Sequence, residues 1–143
     1  MLSEDHAKAH VMKVLERLAP AIVENEASPG AADVRCSVGW IELKYRHRWP
    51  QGVVTVPHWS PKQKVWHTRQ HLAGELTYVL LFCENNVLLF RGMTAVSALG
   101  KYPREQLFRV AVKVWYGSEW KKDLVSILRT EFFAHNMQQA RAK

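Results

Sequence analysis

Apolar positions Val11, Val14, Leu15 and Leu18 recur at helical spacing, which predicts an amphipathic helix over residues 4–18, capped by Ser3 and ended by Pro20. Residues 21–26 read as a short strand and Ser28, Pro29 and Gly30 as a turn. An extended segment, residues 32–36, then leads through a tight turn near residues 37–39 into the strand Gly39-Trp40-Ile41-Glu42-Leu43-Lys44-Tyr45. Successive strand side chains point to opposite faces, so Glu42 and Lys44 share one face, expected to meet a cleft, while Ile41, Leu43 and Tyr45 face the core. Residues 46–58 carry Pro50, Gly52 and Pro57 and predict a loop with a brief extended piece at residues 53–56. Ser60-Pro61-Lys62-Gln63 is a helix start, with Ser60 as cap, Pro61 at the first position and Gln63 reaching back to the cap amide; this helix should stop at Gly74. Two continuous apolar runs, residues 77–83 and 87–90, flank Asn85-Asn86 and predict a central hairpin buried on both faces. A short helix after Thr94, another from Pro103 and a long one after Ser118 follow; in the last, Trp120, Leu124, Ile127, Leu128 and Phe132 keep a 3.6-residue period, so it should dock on the core or on another subunit.

This order predicts an α/β fold, a mixed sheet flanked by helices. With 143 residues, 48% of them hydrophobic, the chain suits one domain with its own core. The formal charge is +7, from 20 Lys and Arg against 13 Asp and Glu, which favours polyanionic partners or, more simply, solubility. Its distribution favours the first: between Glu42 and Glu75 there is no acidic residue, while Lys44, Arg46, Arg48, Lys62, Lys64 and Arg69 all fall there. Trp49, Trp59 and Trp66 interleave with them, as expected where phosphates are neutralised and bases stack on aromatic faces; Trp66 also reads as a core anchor, and Trp49 and Trp59 as loop residues. Cys36 and Cys83 lack metal or redox spacing and are expected to be buried thiols. No stretch approaches the ~20 apolar residues of a membrane span, and the first residues lack a signal-peptide pattern, so a cytoplasmic location, in a cell or an infected host, is expected.

The chemistry concentrates in one acid, acid, lysine pattern. If the turn returns the chain, the Asp33 carboxylate lies beside Glu42, and two converging carboxylates can hold a hard cation. The competing reading of Glu42 and Lys44 is a surface ion pair across strands. A further acid could come from Glu4, Glu16, Glu24 or Glu26. His6 with His10, and His67 with His71, have helical metal-ligand spacing but no third ligand, and read as surface or phosphate-facing histidines. No phosphate-binding glycine loop or G-x-S-x-G elbow is present.

Helix, Asp33 segment, Glu42-Leu43-Lys44 strand and the helix opening at Gln63 occur in the order of the PD-(D/E)xK nuclease superfamily, and the chain resembles its small VRR-NUC nucleases and archaeal-type Holliday junction resolvases. The resemblance covers roughly residues 1–90, which implies a nuclease core of about residues 1–92 and a helical C-terminal extension of about 93–143. Ala31-Ala32 stand where the motif has a proline before the aspartate, a backbone preference rather than a ligand. The resemblance implies Asp33, Glu42 and the main-chain carbonyl of Leu43 as ligands of Mg²⁺, with Mn²⁺ able to substitute, and Lys44 and Gln63 as catalytic partners. Glu4 matches the acid many members place in the first helix. Arg46, Arg48, Lys62, Lys64 and Arg69 would contact DNA. The implied activity is a Mg²⁺-dependent endonuclease selective for branched DNA and acting as a homodimer. The alternatives are a less selective nuclease or nickase, and a non-catalytic DNA-binding module.

Overall fold

The structure is a computed structural model that describes residues 4–23 and 30–142. Six strands form one mixed sheet in chain order: β1 (Ala21–Ile22), β2 (Val34–Cys36), β3 (Gly39–Arg46), β4 (Thr77–Cys83), β5 (Asn86–Arg91) and β6 (Lys113–Tyr116). Every neighbouring pair is antiparallel except β3 and β4, which run parallel. A parallel pair needs a crossover, and the helix α2 (Pro61–Leu72) supplies it.

One face of the sheet carries Val34, Ile41, Leu43, Leu80, Phe82, Leu89 and Trp115. Helix α1 (Glu4–Val14) closes this face with Ala7 and Val11, and a tighter turn at Glu16–Leu18 adds Leu18. The long helix α5 (Trp120–Ala142) adds Trp120, Leu124 and Leu128. On the opposite face Val79, Leu81, Leu88 and Phe90 pack with Ala95 and Ala98 of α3 (Gly92–Ala98) and Leu107 of α4 (Arg104–Val110). Each residue of β4 is buried, as its unbroken apolar run predicts for a strand covered on both sides.

Several expectations change. Helix α1 ends at Val14 rather than continuing to Leu18, because the last turn tightens before Ala19, whose φ of 50° is left-handed. The helix expected after Thr94 begins at Gly92. Asn86 is not a turn residue: Cys83 pairs with Asn86, so the hairpin turn is Glu84-Asn85, and Asn86 is buried at the start of β5. The C-terminal part is not an appended helical extension. It supplies β6, which pairs with β5, and core side chains Trp115, Trp120, Leu124 and Leu128. Ser3, Ser28, Pro29, Glu24 and Glu26 lie outside the described residues. Among the described residues, no helix is long and apolar enough to cross a membrane.

Candidate active site

The β2–β3 hairpin turns at Ser37-Val38 and pairs Val34 with Ile41, so the residues just before β2 lie beside the middle of β3. Asp33 is fixed there twice: its carbonyl accepts from the Val23 amide at 2.9 Å, and its Oδ2 accepts from the Leu43 amide at 2.8 Å. Glu42 and Lys44 project from the face carrying Val79 and Leu81, their partners being Val79 and Leu81 in the parallel register with β4. Helix α2 crosses this face. Its first turn is locked by a reciprocal capping box, in which the Gln63 amide donates to Ser60 Oγ at 3.3 Å and the Ser60 amide donates to Gln63 Oε1 at 3.1 Å. The helix start also sits against Gly30, where φ is 81° and a Cβ would stand 2.7 Å from the Lys62 carbonyl oxygen. Only glycine lets the segment before Asp33 come this close to α2.

The capping glutamine therefore reaches the acid. Gln63 Nε2 donates to Glu42 Oε1 at 2.8 Å, and Lys44 Nζ lies 3.1 Å from that same oxygen. Lys44 Nζ also donates to Gln63 Oε1 at 3.1 Å and to the His58 carbonyl at 2.8 Å, and it stands 5.5 Å from the ring centroid of Trp59. Of the expected centre, Glu42, Lys44 and Gln63 thus form one hydrogen-bonded cluster, and Asp33 is held beside it on the Leu43 main-chain amide. The expected cleft is not open. Glu42 is 1% and Lys44 4% exposed, because the loop at His58 and Trp59 and helix α2 cover them, while Asp33 is only half-buried. The pair is accordingly a buried network and not the surface ion pair of the competing reading.

Burial first, and then the like charge of Asp33, push the Glu42 carboxyl up to about 7, against the opposing pull of Lys44. Among the described residues, its second oxygen, Oε2, is buried without a hydrogen-bond partner. A buried, unpartnered carboxylate oxygen beside a second acid suits an oxygen-seeking cation, and Mg²⁺ commonly uses only one or two carboxylates, completing its shell with water and phosphate. No group of three or more His, Cys, Asp and Glu side chains converges among the described residues. Glu4 is exposed on α1 and does not join the two acids, and neither does Glu16.

The expected DNA contacts divide. Arg48, Lys62 and Arg69 are exposed, and Lys64 is half-buried. Arg46 instead braces the loop after β3, donating to the carbonyls of Arg48 at 2.7 Å and Thr55 at 2.8 Å. Trp49 and Trp59 are loop residues, but both pack against the core of the α3 face. Trp66 is half-buried on α2, edge-to-face with Trp40 at 5.1 Å, so it is not an anchor of either core cluster. Cys36 and Cys83 are buried free thiols, and burial pushes the Cys83 thiol up to about 12.

One residue at the site is not where its sequence pattern put it: His67, expected at the surface or facing phosphate, is buried. It is completely buried one turn after Gln63, and among the described residues neither ring nitrogen has a hydrogen-bond partner. Burial, with the nearby charge of Lys44, pushes it down to about 4. Its spacing to His71 matched a metal pair, and the lack of a third ligand pointed to the surface or to phosphate; its spacing to Gln63, four residues on the same helix face, was the available signal. No protein-family model, curated protein or solved structure matches the chain.

Proposed function

We propose that this protein is a Mg²⁺-dependent endonuclease that hydrolyses DNA phosphodiester bonds, with Mn²⁺ able to replace Mg²⁺. The observation that carries the reading is the hydrogen-bonded cluster of Glu42, Lys44 and Gln63, with Asp33 held beside it on the Leu43 amide and with a buried Glu42 carboxylate oxygen that has no partner among the described residues. Asp33 and Glu42, with the Leu43 carbonyl, are the groups that would hold the ion; when bound it polarises a phosphate oxygen and lowers the pKa of a water. Gln63 orients the Glu42 carboxylate through its amide nitrogen and the Lys44 ammonium through its amide oxygen. Lys44 then supplies positive charge where charge builds on the phosphate. All three of its donors have protein partners, so reaching substrate means exchanging one of them. The His58 carbonyl is the contact that can be exchanged without disturbing Glu42 or Gln63, which makes the His58–Trp59 loop the cover that DNA displaces.

Preference for branched DNA comes from the resemblance to junction resolvases. Paired incision of a symmetric junction requires two such sites, hence a homodimer. The closed state of the Lys44 network favours a second reading, a DNA-binding module without catalysis. Cleavage of labelled four-way junction, flap, linear duplex and single strand in Mg²⁺ separates them. Wild type is expected to cut the junction best, and Glu42→Gln and Asp33→Asn to lose on the order of a hundredfold or more. Binding without any cleavage rejects the enzyme; equal cutting of all four rejects junction selectivity, and a monomeric mass at micromolar concentration rejects paired incision.

A further inference from the structure

Arg35 lies two residues beyond Asp33, and Trp40 two before Glu42, so both share the face of the acid site, one step along the sheet. They are direct cross-strand partners, with the Arg35 guanidinium 4.6 Å from the ring centroid of Trp40. Trp40 in turn meets Trp66 of α2. Trp66 walls a shallow groove of about 490 Å³ along the outside of α2 together with Pro61, Lys62, Val65, Arg69 and Gln70. Among the described residues no acidic one lines it, Lys62 and Arg69 are exposed, and Val65 is 48% exposed. Lys62 immediately precedes Gln63, so the groove lies on the helix face next to the one that meets the acid cluster.

We propose that this surface is a subsite for an unpaired nucleotide flanking the phosphate to be cut. Its base stacks on Trp66, and its phosphates meet Lys62, Arg69 and Arg35. A duplex offers the outside of a protein mainly phosphates, and only a base out of its stack can lie against an indole; stacking of that kind is tolerant of sequence. Arg35 holds Trp40, and Trp40 supports Trp66, so Trp40 is a positioning residue. The placement rests on the nuclease reading above, whereas the binding chemistry does not.

The test is fluorescence anisotropy of the full chain in EDTA, comparing a blunt duplex with the same duplex carrying a short unpaired tail. Trp66→Ala should weaken binding of the tailed DNA about 5- to 150-fold while changing the blunt duplex less than about twofold, and Trp66→Phe should restore most of the loss. Equal effects on both DNAs, or no effect, overturn the proposal, as does a Glu-rich peptide that competes as well as the tail. If Trp66→Ala melts early, the double variant Arg35→Gln/Arg69→Gln decides. Losing two phosphate contacts should flatten the log–log salt slope for the tail by about 1.4, and an unchanged slope overturns the subsite. Wild-type cleavage in Mg²⁺ is read separately: tail preference without cleavage rejects only the nuclease, and cleavage without tail preference rejects only the subsite.

Discussion

Glu42 and His67 are buried within one side-chain layer and respond to pH in opposite senses. Glu42 holds its proton more tightly folded than unfolded, so its contribution to stability is complete below its ordinary value of 4.5 and is lost as pH rises through about 7. His67 is held neutral; its contribution is complete above 6.5 and is lost as pH falls through about 4. Between roughly pH 5 and 6 the two slopes cancel. Glu42→Gln should therefore expose the His67 slope, with urea midpoints in EDTA falling on acidification. His67→Phe should expose the Glu42 slope, a loss of at most about 3 kcal/mol as pH rises through 7. Slopes of the same sign in both variants would reject the assignment. Mg²⁺ at pH 7.5 should raise the wild-type midpoint and leave that of Glu42→Gln unmoved. At this scale the acids, the lysine and the glutamine were legible, because strand alternation and a capping pattern fix them locally. His67 was not, since burial of a histidine depends on what α3 and β4 bring against it. For Arg46 the charge suggested DNA, and the structure adds that its guanidinium fixes a loop.

Helix α3 starts against α2 and β4 at Gly92, where a Cβ would stand 1.9 Å from Thr77 Oγ1 and 2.9 Å from His67 Nδ1. Gly92→Ala should cost about 1–3 kcal/mol or more in denaturant unfolding, as overpacking does, and Thr77→Ala in the same chain should recover part of it. No recovery would show that the backbone, not this contact, sets the cost. Among the elements, α2 and the β4–β5 hairpin were readable because their signals are local: a capping box at one end, and two apolar runs around a short turn. Strand β6 was not. Lys113-Val114-Trp115-Tyr116 is four residues long and becomes a strand by pairing with β5, a contact made across more than twenty residues of chain.

For the whole molecule, the decisive question is how much of the C-terminal third the fold needs. Phe133 and Met137 are 68% and 44% exposed, whereas Trp120, Leu124 and Leu128 are in the core. A chain ending at Phe132 should stay folded, losing the contact of His135 Nε2 with the Gly74 carbonyl at 2.8 Å, worth about 1 kcal/mol. A chain ending at Gly117 should not fold, because each lost core side chain costs about 2–5 kcal/mol. Circular-dichroism melts check both; a cooperative transition in the shorter chain would show that the core closes without α5.

By itself the sequence determined the strand faces, the start of α2, the acid and lysine spacing and the basic stretch, since each follows from periodicities of two and 3.6 or from residues within a few positions of one another. Only the tertiary structure decided that the site is covered rather than open, that Glu4 stands apart from it, and that Arg35, Trp40 and Trp66 adjoin it. Those outcomes depend on which segments meet across the sheet and how closely they pack, and no local pattern encodes that distance.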